Sequence, residues 1–304
     1  MRTDRFKAFT LVEILTTLTI IAILIGILLP ALGQVKKFAT EAKQKAQIAS
    51  LDIAVSSFKL DFGYYPPSHG SDATQTPGHS SADADFYDYD YCGAQTLAEA
   101  MVGWDLLGVH RDSVSRVDGN DNDTSTPPLY PSNPDAANLD KRKGPYLDRT
   151  NIGVFTPRQI FNRDTTSDDV YPDRYVICDA FAAVSKRVGA KTYKIGTPIL
   201  YFRANLSAVN TQLITAANAK GWTRNIYNFW DNVNLMGIGR ITDGKSHSLM
   251  PGDEGDAFCN FISDQMIQNI KRPVRPDSFL LISAGYDGLY GTADDICNFE
   301  PNIE

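Results

Sequence analysis

Residues that do chemistry are scarce in this chain. Four histidines (His69, His79, His110 and His247) stand among 304 residues, with no metal-ligating spacing between them and no nucleophile motif beside them. Histidine-based hydrolysis and histidine metal sites therefore lack a starting point. Cysteine is equally sparse: Cys92, Cys178, Cys259 and Cys297 lie far apart, without a C-x-x-C pair, which leaves a zinc site unsupported. Outside the cytoplasm the four allow two disulfides in any of three connectivities, and free buried thiols are the other reading. Basic surplus is also missing. The net charge is −7, and neutralising phosphates needs clustered Lys and Arg, so no nucleic-acid partner is expected.

Long apolar runs are confined to one place. From Phe9 to Leu29 the only charged residue is Glu13. As a helix this run would be roughly 32 Å long, the thickness of a bilayer core. Thr16, Thr17 and Thr19 are tolerable there because their hydroxyls can bond back to helix carbonyls. Arg2, Arg5 and Lys7 precede the run and mark a cytoplasmic flank, which puts the chain after Pro30 on the other side. A cleavable signal peptide would end at an A-x-A site and a loop. Ala31-Leu32-Gly33 matches that loosely, and the apolar run passes into a further helical pattern.

That pattern is a heptad stripe of Val35, Ala39, Ala42, Ala46, Ala49, Ile53, Ser56 and Leu60, flanked by lysines and Glu41. It predicts one helix from about Phe9 to Leu60, half in lipid and half under a soluble domain, with this stripe facing the domain. Gly26 and Pro30 are its expected weak point. Gly63 and Pro66-Pro67 should stop it.

The segment Ala8-Phe9-Thr10-Leu11-Val12-Glu13 resembles the cleavage motif of type IV prepilins and type II secretion pseudopilins. Lys59, Asp61, Gly63, Tyr65 and Pro66 resemble the "K-x-D-x-G-x-Y-P" segment that follows the long helix of major pseudopilins. The resemblance implies cleavage between Ala8 and Phe9, methylation of the new Phe9 amine, and pairing of Glu13 with the amine of a neighbouring subunit during assembly. It also implies a prepilin peptidase, an assembly ATPase and an inner-membrane platform as partners. One residue departs from the pattern: glycine usually precedes the cut, and Ala8 stands here. A carboxylate in hydrocarbon costs about 2.5–3.5 kcal/mol, so Glu13 would act as a register device that penalises any offset leaving it unpaired.

The remainder reads as one globular domain with large insertions. Residues 63–175 are irregular. A helix is expected at Ala94–Leu107 on the spacing of Leu97, Met101, Trp104 and Leu107, and an exposed loop from Asp118. Residues 176–304 are richer in strands, at Arg174–Cys178, Thr197–Ala204 and Ser278–Ser283. Asp179-Ala-Phe and Pro198-Ile-Leu-Tyr look like two halves of the pseudopilin "D-P-W/F-G-x-P-Y/I-x-Y" hairpin, split by an insertion, with the family's proline and glycine absent at Ala180 and Ala182.

Residues 283–297 hold the sharpest candidate site. Asp287, Asp294 and Asp295 fall in a run with Gly285, Gly288 and Gly291, and calcium favours six to eight oxygens drawn from carboxylates and turn carbonyls. The stretch resembles the calcium loop of major pseudopilins, roughly S-x-G-x-D-G-x-x-G-T-x-D-D-I. That implies a structural calcium held by the three aspartates, with Ala284 and Leu289 offering backbone carbonyls.

The expectation is an α+β, pilin-like fold: a leader at 1–8, a transmembrane and assembly helix at 9–32, an amphipathic helix at 33–62 on a small antiparallel sheet, and the two following regions. The expected function is a structural subunit of a type II secretion pseudopilus, not an enzyme. It would sit as a single-pass inner-membrane protein with a periplasmic domain, entering the pseudopilus on assembly. The alternative is a type IV pilus subunit or tip adhesin whose insertion, with Tyr87, Tyr89 and Tyr91, stacks on a ligand.

Overall fold

The computed structural model describes residues 10–68, 91–113, 128–148, 152–161, 170–208, 225–250, 256–267 and 271–303. They fall into two units, Met1–Ala42 and Lys43–Glu304. The expected leader, the 8/9 cut, Tyr87, Tyr89, His69, His79 and the loop from Asp118 lie outside the described residues.

Helix α1 runs from Leu11 to Phe62 and is helical through Pro30. Proline clashes with the carbonyl four residues earlier and removes one donor. Here that earlier residue is Gly26, and beyond the adjoining helix backbone nothing lies within 4 Å of where a Cβ would stand. The helix ends as expected: Gly63 takes φ +86°, and its N–H donates to the Lys59 carbonyl at 2.8 Å.

The face that α1 buries is not the expected one. Gln44, Gln47, Ile48, Leu51, Ala54, Val55 and Phe58 are buried, whereas every residue of the Val35–Leu60 stripe is exposed, Ile53 by 69% and Leu60 by 88%. Two stripes on this helix satisfy the same spacing of three and four. The one carrying Leu51, Val55 and Phe58 removes more apolar area from water, at about 25 cal/mol per Å². Two glutamines then fix its phase: Gln47 Nε2 donates to the Cys178 carbonyl at 2.9 Å, and Gln44 Oε1 accepts the Ala180 N–H at 2.6 Å.

Helix α2 spans Gly93–Val102 and is buried along its length. It stops short of the expected Leu107 because Gly103 adopts φ +82°, where a Cβ would lie 2.2 Å from the Gly108 carbonyl oxygen. Trp104 and Leu107 therefore leave the helical face, and Leu107 is exposed.

Short elements follow. β1 (Val109–His110) pairs with β2 (Arg142–Lys143), with α3 (Ala136–Asp140) between them. β3 (Gly153–Phe155) pairs with β4 (Val176–Cys178) across α4 (Pro157–Phe161). β5 (Val184–Val188) and β6 (Lys191–Ile195) form a hairpin. A three-stranded sheet has the order β7 (Leu200–Arg203), β8 (Phe279–Ser283), β9 (Ile296–Cys297), and α5 (Val233–Gly237) and α6 (Asp256–Phe261) lie between β7 and β8 in sequence. Every pairing is antiparallel.

The central sheet is covered on both faces, which is why its strands read as unbroken apolar runs. Ile199, Tyr201, Phe279 and Leu281 join the α1 residues Leu51, Val55 and Phe58 and the α2 residues Leu97 and Met101 in one cluster. Leu200, Phe202, Leu280 and Ile282 point the other way, into a second cluster with Leu235, Phe258 and Tyr290. The four cysteines are free thiols. Burial pushes Cys92 up to about 12, in keeping with an inert core thiol.

Candidate functional site

At the start of α1, Glu13 is exposed and closes a local ring. Its Oε2 accepts the Thr10 N–H at 2.9 Å and the Thr10 hydroxyl at 3.0 Å, while the Thr10 hydroxyl accepts the Glu13 N–H at 3.2 Å. This is a capping box, in which a threonine and a glutamate three residues on satisfy helix-end donors reciprocally. The T-x-x-E spacing was available in the sequence. Thr16, Thr17 and Thr19 bond back to the carbonyls of Val12, Ile14 and Leu15, so the apolar stretch presents no unpaired hydroxyl there. Every Leu, Ile, Val and Phe from Leu11 to Phe38 is exposed. Among the described residues, α1 is the one helix long and apolar enough to cross a membrane.

The C-terminal loop connects β8 to β9. Gly285, Gly288 and Gly291 all have positive φ, and a Cβ on Gly285 would lie 2.3 Å from the Asp294 carbonyl oxygen. The loop thus doubles back on itself only where side chains are missing. Its carboxylates face inward. Asp294 Oδ2 accepts the N–H groups of Tyr286 and Asp287 at 2.6 and 3.0 Å, and Oδ1 accepts the Thr292 hydroxyl at 2.7 Å. Asp287 Oδ1 accepts from the Leu289 N–H at 2.8 Å, and Asp295 Oδ2 from the Gly291 N–H at 2.7 Å.

These neighbours crowd one another. Burial, reinforced by Asp294 and Asp287, pushes Asp295 up to about 8 against the pull of the Gly291 and Thr292 N–H bonds. Asp287 is also raised, by burial and by Asp294. Burial would lift Asp294 too, but the Thr292 hydroxyl and the N–H groups of Asp287 and Tyr286 hold it below the usual carboxylate range. Among the described residues no three His, Cys, Asp or Glu side chains are gathered as a metal-holding group. Oxygen-only donors and mutual repulsion fit a hard cation; the side chains as placed satisfy loop amides instead.

Behind the loop sits Asp179, buried and raised well above its ordinary range by that burial. It accepts from the N–H groups of Phe181 and Thr197, both at 3.1 Å, and from the Ser283 hydroxyl at 3.3 Å. The Asp179 N–H donates to the Thr197 carbonyl, and the Ile199 N–H to Ile177. Both halves of the split hairpin motif therefore meet, and the β5–β6 hairpin leaves and re-enters at one point. A Cβ on Gly196 would stand 2.1 Å from Asp179 Oδ1, so the close approach of the two halves needs glycine at this position.

His247, one of the histidines weighed for catalysis, is buried with a packing role. Its Nδ1 accepts the Tyr290 N–H at 3.2 Å, and burial lowers it to about 4. Tyr91, weighed for ligand stacking, is buried and its hydroxyl bonds to Glu99.

The profile of the prokaryotic N-terminal methylation motif matches residues 4–29. The chain carries that motif at its N-terminus. It is also similar to the type II secretion system core protein G of Escherichia coli strain K12, at 36% identity over 64 residues. The match covers 21% of this chain and 44% of that protein, so it spans less than half of the curated relative. No solved structure matches. The methylation motif, the apolar N-terminal helix and the α+β body are consistent with a pilin-like fold and with membrane anchorage.

Proposed function

We propose that this chain is a structural subunit of a type II secretion pseudopilus. A prepilin peptidase would cut it between Ala8 and Phe9 and methylate Phe9. An assembly ATPase and an inner-membrane platform would then add it to a filament, with the soluble part on the periplasmic side. The observation that supports this most is the methylation motif over residues 4–29, leading directly into a helix whose apolar side chains from Leu11 to Phe38 are all exposed. A surface this large and apolar needs either lipid or copies of itself.

Peptide mass mapping of protein purified from membranes tests the processing step. The expected N-terminal peptide begins at Phe9 and carries one added methyl group; an intact Met1, or a terminus after Gly33, would overturn the reading. Ala8→Gly should speed the cut.

We further propose that Asp287, Asp294 and Asp295, with the carbonyls of Ala284 and Leu289, hold calcium. When bound, the ion would offset the burial and the like charge that together raise Asp287 and Asp295, and would fix the link between β8 and β9. The full chain in detergent should melt roughly 5 °C or more higher in millimolar calcium than in chelator, as expected for mass-action stabilisation. Asp287→Ala and Asp295→Ala should each abolish that difference. Equal melting in both conditions would remove calcium from the proposal and leave the N-terminal reading standing.

A further inference from the structure

The β5–β6 hairpin carries charge of a single sign. Between Val184 and Ile195 stand Lys186, Arg187, Lys191 and Lys194, with no Asp or Glu among them. Only the base is anchored: Ile195 is fully buried, Val184 packs in the same core cluster, and Tyr193 meets Phe155 edge-on at 5.9 Å. Arg187, Lys191 and Lys194 are exposed. Arg187 Nε donates to the Gly189 carbonyl at 3.2 Å, which holds its guanidinium at the turn. In the register, Lys186 faces Tyr193 and Lys191 faces Val188, while Lys194 faces Ser185 and Arg187 faces Thr192. Each face of the ribbon therefore presents two cations. Among the described residues, none of the four is in an ion pair with a carboxylate.

The stem of the hairpin is tied to α1 a short way beyond the apolar run. The Asp179 N–H closes the stem on the Thr197 carbonyl at 2.8 Å. Beside it the Ala180 N–H donates to Gln44 Oε1, and the Cys178 carbonyl accepts from Gln47. From Leu29 to Gln44 the helix rises roughly 22 Å. That length of helix, at any angle between the two units, bounds how far the stem can be from the end of the apolar run. Strands of this length reach roughly 17 Å, and the range of a charge in physiological salt adds about 8 Å. The interval of α1 itself is cationic: Lys36, Lys43 and Lys45 are exposed, and Glu41 is the one acid between Leu29 and Asp52.

We infer that the β5–β6 hairpin docks on the anionic headgroups of the bilayer that holds α1. Charge complementarity within the tether selects this occupant: four acid-free cations face a surface rich in phosphate. Lysines on an exposed strand also discourage strand addition, but that protection works with charge of either sign. Tyr193, 40% exposed, adds an amphipathic ring of the kind that settles at headgroup level. Each cation brought to an anionic surface strengthens the contact roughly fivefold, and the anchor makes the contact intramolecular. A subunit leaving the bilayer for a filament gives these contacts up, so the hairpin acts as a retention device that opposes extraction. The inference rests on α1 lying in the membrane.

The test uses the full chain in vesicles of phosphatidylcholine alone or with about 30% phosphatidylglycerol. A water-soluble acylating reagent modifies exposed amines, and mass spectrometry reads the rate at each lysine. With phosphatidylglycerol, Lys186, Lys191 and Lys194 should react roughly fivefold more slowly, and about 0.5 M salt should restore the rate. Lys245, exposed elsewhere on the body, should not change. Arg187→Glu combined with Lys191→Glu leaves Lys186 and Lys194 as reporters; their protection should disappear while the melting temperature stays the same. Equal rates in both vesicles, slowing shared by Lys245, or protection that survives the double variant would each overturn the inference. Equal slowing by inorganic phosphate on phosphatidylcholine vesicles would assign the cations to soluble anions and overturn it too. Flotation separates the two readings: a chain that does not float with either vesicle removes anchor and hairpin contact together, whereas one that floats with unprotected lysines removes only the contact.

Discussion

Glu13→Gln should yield a chain that is inserted, processed and folded, but assembles at under about one tenth of the wild-type level. Glutamine suits the third position of a capping box as glutamate does, so the ring with Thr10 survives this substitution. What disappears is the charge. If Glu13 sets register by pairing with the methylated amine of Phe9 on a neighbour, an uncharged amide cannot penalise the wrong offsets. A lost pairing worth about 1.4 kcal/mol already shifts an equilibrium tenfold, and ion pairing in hydrocarbon exceeds that. Glu13→Ala removes cap and charge together and should be no worse for assembly than Glu13→Gln. The readout is filament yield by sedimentation beside helix content by circular dichroism. Normal filaments from Glu13→Gln would show that the carboxylate is only a helix cap, and the register argument would fall.

The second large effect lies inside the body. Gly196→Val should lower stability by about 3 kcal/mol, a fall of roughly 10 °C in melting temperature. Any Cβ at this position would enter the space of Asp179, 2.1 Å from Oδ1 and 2.3 Å from its carbonyl oxygen. Asp179 cannot swing away cheaply, because Oδ1 accepts two N–H groups and Oδ2 a hydroxyl. Leaving such donors unpaired costs about 1–3 kcal/mol each. Gly189→Ala, by contrast, meets no neighbouring atom within 4 Å and should cost only the strain of its φ of +63°. A Gly196→Val protein that melts like Gly189→Ala would show that the junction is soft.

How far the sequence could be read depended on whether local or distant contacts decided each element. Apolar length, Gly63 and Pro66-Pro67 are local, and α1 begins and ends within two residues of the expected limits. Its buried face was not local. Two equally spaced stripes compete, and only the strands that supply the Cys178 carbonyl and the Ala180 N–H decide between Ala46-Ile53 and Ile48-Leu51. Helix α2 is similar: Leu97 and Met101 are core residues as read, but the chain turns at Gly103 because the Gly108 backbone crosses there, which no periodicity encodes. Among the site residues, T-x-x-E at Thr10–Glu13 is legible as a cap, though the sequence signals the membrane run more strongly there. Asp287, Asp294 and Asp295 were legible as a cluster, but their inward hydrogen bonds to Tyr286, Leu289 and Gly291 follow from loop geometry alone.

The closed stem beneath the β5–β6 hairpin has a consequence for how such a chain can vary. Because the Asp179 N–H and the Thr197 carbonyl are hydrogen-bonded, whatever lies between them is a loop with its ends already joined. Lengthening such a loop costs only about 0.6 kcal/mol per doubling. The Gly189-Ala190 turn is therefore a natural splice point. A lineage could exchange one hairpin for another there, or an experimenter could display a peptide tag, while the strands on either side keep the same register.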